Sequence, residues 1–168
     1  MGDNVALLIV DMQNEFMQQD RHIELAENIV KFSERYSHIA LTRYVNADYS
    51  ACNKQIGWKG CSPTTSKIEL HKSMRKINAE LVYDKVTYSA VNGTLLQWLN
   101  ANAITEVHIV GIDTGCCVTA TAYALFDMGI KIKVITDLCD SSNDRKRHEI
   151  AVMNLTTNVP VCESIDLI

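Results

Sequence analysis

Residues 106–129 read EVHIVGIDTGCCVTATAYALFDMG, which predicts a buried strand, a tight turn and a helix in succession. The apolar run Glu106–Gly111 has the length of a strand covered on both faces, as in a parallel sheet. Thr119–Met128 reads as a helix, and Gly129 is suited to end it. The turn between strand and helix places Cys117 at or near the first helical turn. A strand that leads straight into a helix is a unit of parallel α/β sheets.

Strand-like and helix-like segments alternate through the rest of the chain, which predicts an open parallel sheet with helices on both faces. The other predicted strands are Val5–Val10, Ile39–Val45, Leu81–Val86, Lys131–Asp137 and a short segment near Val159–Cys162. The other predicted helices are Glu24–Tyr36, Ser66–Lys72, Thr94–Ala103 and Asn143–Asn158. The stretch Asn46–Thr65 has no clear period and is predicted to be a long loop.

Length and composition set limits on the class of protein. The 168 residues predict one domain, residues 1–168, and 47% hydrophobic content excludes a disordered chain. A formal net charge of −4 offers no basic excess for nucleic acid, and six cysteines in a chain with a full-sized core do not predict a disulfide framework. The apolar run Val5–Val10 is far shorter than the about 20 residues of a membrane span. We therefore expect a cytoplasmic protein with no membrane partner.

Ligands of open parallel sheets bind beyond the carboxyl ends of the strands. That rule brings Asp11, the pair Asp84 and Lys85, the turn Gly111–Cys117 and Asp137 into one predicted neighbourhood. Each residue alone has a plainer interpretation. Asp11 could cap a helix, Lys85 could point to solvent, and Cys117 could be a small buried side chain or, with Cys116, part of a dithiol or metal pair.

For Cys117, the helix start supplies the chemical interpretation. Free N–H groups and the helix dipole favour negative charge there, which predicts a lowered pKa for the Cys117 thiol and a possible oxyanion hole.

Three motifs, in order, resemble those of the isochorismatase-like cysteine hydrolase family, which includes isochorismatases, nicotinamidases and related amidases. The first, VDMQ.dF, is matched by Val10, Asp11, Met12, Gln13 and Phe16. The second, K..ySaf.gT.L...L, is matched by Lys85, Tyr88, Ser89, Ala90, Gly93, Thr94, Leu95 and Leu99, with Val91 in place of an aromatic residue. The third, G..T..CV..Ta..a...G, is matched by Gly111, Thr114, Cys117, Val118, Thr121, Ala122 and Gly129. A later strand of the family ends in an acid, a place that Asp137 takes here.

The resemblance implies a three-layer Rossmann-like α/β fold with a six-stranded parallel sheet. It also implies a catalytic triad in which Cys117 is the nucleophile, Asp11 the general base and Lys85 a positive charge that lowers the pKa of the thiol. A cis peptide bond is implied between Ile112 and Asp113. The backbone N–H groups of Asp113 and Cys117 are the expected oxyanion hole, although an inward Asp113 carboxylate would raise the pKa of Cys117.

The resemblance also predicts the pocket. Phe16, Trp58, Tyr88 and Cys116 are the candidate substrate-binding residues. Nicotinamidases of this family hold a metal through an Asp-x-His pair after the second strand and a further His, but no His lies between His38 and His71 here. Asn46 and Asp48 alone make a poor transition-metal site, so we expect no metal and no cofactor.

The expected function is hydrolysis of a C–N, amide-type bond of a small molecule by a cysteine nucleophile, through a thioester. The presence of all three triad residues favours it. Two alternatives stay open: an isochorismatase-type hydrolase of enol ethers, and a catalytically silent member that acts as a binding module. A nucleotide-binding Rossmann domain is disfavoured because the sequence has no G-x-G-x-x-G. The resemblance further implies a homo-oligomer, a dimer or tetramer.

Overall fold

A computed structural model describes residues 1–167 of the chain. The strands are β1 (Val5–Val10), β2 (His38–Tyr44), β3 (Leu81–Lys85), β4 (Glu106–Ile112), β5 (Lys131–Asp140) and β6 (Val161–Cys162). The helices are α1 (Asp20–Ser33), α2 (Gly93–Ala101), α3 (Thr119–Asp127) and α4 (Arg145–Asn158). The six strands form one parallel sheet in the order β3-β2-β1-β4-β5-β6. The predicted α/β class is confirmed.

The sheet separates two apolar cores, which makes the fold three-layered. Side chains alternate along β1, so that Leu8 and Val10 enter one core while Leu7 and Ile9 enter the other. The first core also holds residues of α2, α3 and α4, and the second holds the apolar face of α1. Both faces of β1 are therefore buried, which explains why its sequence is apolar without alternation.

The predicted end of β5 at Asp137 is wrong, because the strand continues to Asp140. Alternate strand residues face opposite sides of the sheet, so one outward carboxylate does not end a strand. Asp137 instead accepts hydrogen bonds from the backbone N–H and, at 2.5 Å, the hydroxyl of Ser164. Asp137 therefore leaves the predicted neighbourhood, and Asp140 ends the strand. The carboxylate of Asp140 forms an ion pair with Arg21 at 2.8 Å.

Other element ends differ from the prediction by a few residues, and α1 begins at Asp20 rather than Glu24. The predicted helix Ser66–Lys72 is two short 3₁₀ turns, Ser66–Ile68 and Lys72–Lys76. The long loop contains one helical turn, Cys52–Ile56. Among residues 1–167, no helix combines the length and the apolarity that a membrane span requires.

Gly111 determines how closely β4 approaches β1 beside the first motif. Its φ is +118°, and a Cβ at this position would lie 2.2 Å from the carbonyl oxygen of Val10. Only glycine allows this approach. The contact places the turn after β4 directly beside Asp11.

Candidate active site

Three predicted residues meet where β1, β3 and β4 end. Asp11, Lys85 and Cys117 are 0%, 3% and 6% exposed, and we call these three side chains the floor. The Lys85 Nζ lies 2.7 Å from Oδ2 of Asp11. Strand order explains this meeting, because β3, β2, β1 and β4 are consecutive neighbours whose carboxyl ends share one edge.

Asp11 is held by its backbone and by a neighbouring strand. Its φ of 50° lies in the left-handed region, which Asp tolerates better than most residues. The hydroxyl of Thr42 on β2 donates to Oδ1 of Asp11 at 2.6 Å and accepts from the Asp11 N–H at 3.1 Å. Each carboxylate oxygen thus has a different neighbour: Thr42 at Oδ1 and Lys85 at Oδ2.

Lys85 is a fixed positive charge. Besides contacting Asp11, its ammonium donates to the carbonyl oxygens of Thr87 and Tyr88, each at 3.0 Å. It also lies 5.0 Å from the ring centre of Tyr44. Burial lowers the pKa of Lys85, but the negative charges of Asp11 and Cys117 outweigh it and raise that pKa overall. Lys85 therefore stays charged.

The turn after β4 is a short helical segment, Thr114–Val118, that continues into α3. The peptide bond between Ile112 and Asp113 is cis, as the resemblance implied. The hydroxyl of Thr121 donates to the carbonyl oxygen of Cys117 at 2.6 Å and accepts from the Ala90 N–H at 2.9 Å. This bridge ties the turn to the segment that follows Lys85.

The side chain of His148 on α4 also holds this turn. Its Nδ1 lies 2.8 Å from the hydroxyl of Thr114, and both residues are buried. The turn that carries Cys117 is therefore fixed from two sides, by Thr121 within α3 and by His148 from α4.

The pKa of Cys117 differs from the expectation. Burial raises the pKa of its thiol well above the usual range, the charge of Asp11 raises it further, and Lys85 lowers it only in part. The helix start and Lys85 therefore do not produce a resting thiolate. A buried thiol beside a carboxylate instead needs that carboxylate to accept its proton.

The direction of Asp113 is settled by its contacts. Its carboxylate accepts hydrogen bonds from the Ser142 N–H and, at 2.7 Å, from the Ser142 hydroxyl. Its charge raises the pKa of Cys116, after the larger effect of burial. The carboxylate is thus bound to the loop between β5 and α4. The carbonyl of Asp113 accepts from the N–H groups of Cys116 and Val118, so these two groups are engaged.

A pocket of about 760 Å³ meets the floor at Cys117, and all four candidate substrate-binding residues line it. Phe16, Tyr44, Trp58 and Tyr88 form one side, which we call the aromatic wall. The Phe16 and Trp58 rings are stacked, with centres 6.0 Å apart and planes 11° apart. The polar part of the lining includes Asp113, Cys116, Ser142, Asn143 and Arg147.

Several residues of the site were not predicted from the sequence. The hydroxyl of Thr42 and the ring of Tyr44 follow the apolar start of β2, and a polar Thr inside a buried strand was the available signal. Cys52 donates to the Tyr88 hydroxyl at 3.2 Å from within the long loop. Asn143 and Arg147 lie at the start of α4, where no motif pointed to them.

Asp84, an expected neighbour of the site, and Asn46, weighed as a metal ligand, have other roles. Asp84 was grouped with Lys85, but its side chain is 49% exposed and pairs with Arg43 at 2.7 Å. Consecutive strand residues face opposite sides, so only one of the pair can face the pocket. The amide of Asn46 donates to the Trp58 carbonyl at 2.6 Å and accepts from the Ser50 hydroxyl, so it holds the loop. These residues do not fit a metal site, and the described part of the chain holds no group of three His, Cys, Asp or Glu arranged for one.

Comparison with known proteins shows what the chain is similar to in sequence and in fold. A nicotinamidase of Arabidopsis thaliana, Nicotinamidase 3, is 29% identical over 163 residues, which cover 89% of this chain and 79% of the relative. An isochorismatase-like hydrolase from Alkaliphilus metalliredigens has a TM-score of 0.84 at 17% identity, with 98% of this chain and 97% of the other covered.

An N-carbamoylsarcosine amidase from Thermoplasma acidophilum has a TM-score of 0.81 at 21% identity, with 96% of both chains covered. At such identities the two solved structures show the shared fold alone. The Isochorismatase domain model matches residues 5–166, nearly the whole sequence. The chain therefore belongs to the isochorismatase domain family.

Proposed function

We propose that the protein is a hydrolase that cleaves the C–N bond of a small amide through a thioester on Cys117. The observation that carries the proposal is the buried floor, in which Cys117 lies beside an Asp11 carboxylate that is paired with Lys85 at 2.7 Å. The 29% identity to a nicotinamidase supports an amide as the substrate. The pocket of about 760 Å³ suits a small molecule.

The first step transfers the Cys117 proton to Asp11. The raised pKa of Cys117 means that the resting side chain is a thiol, so attack requires a base in contact with it. As the proton moves to Oδ2, the sulfur lone pair forms a bond to the amide carbon. The carbonyl π electrons move to oxygen, where we propose that the N–H groups of Asp113 and Cys117 stabilise them.

The second step expels the amine. The oxyanion reforms the carbonyl, the C–N bond breaks, and the proton on Asp11 passes to the leaving nitrogen. A water molecule then attacks the thioester while Asp11 accepts one of its protons. The C–S bond breaks, the sulfur takes the proton back, and a carboxylic acid leaves. The protonation state at the end equals that at the start.

Lys85 supports both steps as a charge. Its ammonium is already bound to Asp11 and to two backbone carbonyls, so proton donation to substrate is not its role. Its positive charge balances that of the buried Asp11 carboxylate, and it offsets part of the cost of a thiolate on Cys117.

The experiment is a screen of small amides, ureides and carbamates for release of ammonia or amine, with Cys117→Ala measured beside the wild type. We expect turnover of at least one compound by the wild type, none above background by Cys117→Ala, and a covalent acyl adduct on Cys117 in quenched reactions. Cys139→Ala, which removes a buried thiol of β5, is the matched control and should remain active.

Turnover that persists in Cys117→Ala would rule out the thioester route and favour enol-ether or water-mediated chemistry. A wild type that binds compounds in the pocket but hydrolyses none would favour a binding module.

A further inference from the structure

We propose that Thr42 is a positioning residue that fixes the Asp11 carboxylate so that Oδ2 alone accepts the proton of Cys117. This inference rests on the proposed function, because it assigns a role within the same proton transfer. Thr42 lies on β2, outside the three motifs that carry the family resemblance.

The geometry around Thr42 leaves its hydroxyl a single arrangement. The oxygen accepts from the Asp11 N–H at 3.1 Å, and its one proton is donated to Oδ1 of Asp11 at 2.6 Å. Thr42 and Asp11 are both 0% exposed, so water does not compete for these bonds. Because the hydroxyl has one proton and its oxygen already accepts from the Asp11 N–H, Thr42 donates to a single carboxylate oxygen, which is Oδ1.

The other oxygen of the carboxylate is the one that Thr42 leaves free. Oδ2 lies 2.7 Å from the Lys85 ammonium, and it has no hydrogen-bond donor that satisfies normal geometry within the described residues. Asp11 lies close enough to Cys117 that its negative charge raises the pKa of the thiol. Because the Thr42 bond makes Oδ1 the less basic oxygen and holds the carboxylate in one orientation, we infer that Oδ2 accepts the proton of Cys117.

The position of Thr42 in the sheet explains how a side chain from another strand reaches this carboxylate. Leu41 of β2 is paired with Ile9 of β1, so the following residues of both strands, Thr42 and Val10, lie near Asp11. Thr42 follows three buried residues of β2 and is itself fully buried. A buried hydroxyl in an apolar strand needs a partner, and Asp11 is that partner.

The test compares Thr42→Val, which keeps the shape of the side chain and removes the hydroxyl, with Thr42→Ser, which keeps the hydroxyl. With an amide that the wild type hydrolyses, we expect Thr42→Val to lower kcat at least about tenfold, as a partial loss of general-base catalysis, with KM little changed. Thr42→Ser should stay close to the wild type. A Thr42→Val enzyme with wild-type kcat, or a Thr42→Ser enzyme as slow as Thr42→Val, would overturn the proposal.

A second measurement needs no substrate and so remains valid if the amidase function is wrong. The rate at which iodoacetamide alkylates Cys117 is followed by mass spectrometry in a Cys116→Ser background, which removes the exposed neighbouring thiol. Without the Thr42 hydroxyl the Asp11 carboxylate can rotate, so Thr42→Val should alkylate faster. The acceleration should vanish when Asp11→Asn is also present. No acceleration, or the same acceleration without the Asp11 carboxylate, would contradict a role that acts through Asp11.

Thr136→Val is the matched control, because Thr136 is a strand residue of β5 whose hydroxyl donates to the Cys162 carbonyl, outside the pocket. It should change neither kcat nor alkylation. If Thr42→Val does not fold, Thr42→Cys replaces it, since a thiol is a weak donor of smaller bulk than valine. The kcat and the alkylation rate of that variant then decide the proposal in the same way.

Discussion

The floor of the pocket differs from its aromatic wall in how the side chains are held. Asp11 is bound by Thr42 and Lys85, and Lys85 by Asp11 and two carbonyls, within strands and turns that the sheet fixes. In the wall, Trp58 contacts Phe16 and Tyr44 through ring centres 6.0 Å apart, and it comes from the long loop. The floor is therefore a set of directional polar contacts, and the wall is a set of apolar surfaces.

This difference assigns the chemical step to the floor and the choice of substrate to the aromatic wall. Polar contacts of defined direction control where a proton goes, and stacked rings control which flat or apolar groups bind. We therefore expect changes in the floor to act on kcat and changes in the wall to act on KM. A wall substitution that lowered kcat far more than it raised KM would contradict that division.

Lys85→Met should have the largest effect, because it leaves the Asp11 carboxylate buried without its cation. Breaking a buried pair in this way costs about 3–5 kcal/mol, so we expect a loss of stability of that order together with loss of turnover. Urea unfolding and ammonia release measure the two effects. Lys133→Met, which removes an ion pair with Glu106 in which the Lys133 side chain is 38% exposed, should cost below about 1 kcal/mol. Equal losses of stability in the two variants would mean that the buried Lys85–Asp11 pair matters no more than an exposed one.

Asp11→Asn should have two effects of opposite sign. Loss of the general base should lower kcat by about 100- to 10,000-fold. The same change removes a charge and a hydrogen bond that raise the pKa of Cys117, so alkylation by iodoacetamide should become faster. Both rates are measured on one preparation in the Cys116→Ser background. If Cys117 alkylation also slowed, Asp11 would act on Cys117 mainly as the base that removes its proton, and its effect on the pKa of the thiol would be the smaller one.

The pH dependence of wild-type Cys117 alkylation tests the resting state of the floor. Its pKa lies well above the ordinary value because of burial and Asp11, so near neutral pH a smaller fraction is thiolate than in a free cysteine. We expect slow reaction at pH 7 and a rise that continues beyond pH 9. A fast reaction at pH 7 that is independent of pH would mean that Lys85 outweighs both effects and that the thiolate exists before substrate binds.

The sequence predicted the edge where the floor lies, because Asp11 and the turn with Cys117 follow clearly apolar strands. Lys85 ends the more charged strand β3, and the family resemblance was what singled it out. Strand order then forces Asp11, Lys85 and the turn after β4 to one edge. The sequence was insufficient at Asp137, because side chains alternate between the two faces of a strand and a polar residue can lie within the strand without ending it. The predicted decrease in the pKa of Cys117 was wrong for a related reason. A helix start and a lysine can be inferred from motifs, whereas the burial that outweighs them is a property of the folded chain.

Thr42 and Arg147 show the other limit of sequence reasoning. Thr42 acts through a carboxylate on a neighbouring strand, and that pairing depends on register. Arg147 lines the pocket from α4, about thirty residues after Cys117, so only the packing of α4 on the turn brings them together. Residues that depend on register and helix packing have no local pattern to reveal them.

Trp58→Ala should change binding more than chemistry. Stacking contacts of an aromatic ring are worth about 0.5–1.5 kcal/mol, so KM should rise roughly 2- to 12-fold with kcat little altered. Steady-state kinetics with the best amide and with a smaller, non-planar amide would show the loss falling on the flat substrate. Trp98→Phe, a change on α2 outside the pocket, is the control. A uniform loss for both substrates would indicate that Trp58 supports the loop rather than the ligand.

Asp84→Asn should have the smallest effect and tests the direction of side chains along β3. Asp84 and Lys85 are consecutive, yet the Lys85 side chain is 1% exposed and the Asp84 side chain is 49% exposed and bound to Arg43. An exposed ion pair contributes below about 1 kcal/mol, so stability should fall only slightly and kcat should match the wild type. Unfolding in urea at two salt concentrations checks the first point, because salt weakens the Arg43–Asp84 pair, which only the wild type has, while the Arg43–Glu69 pair is present in both. A large loss of turnover would mean that the charge of Asp84 affects Lys85. The two side chains would then be coupled in the reaction although they lie on opposite faces of β3.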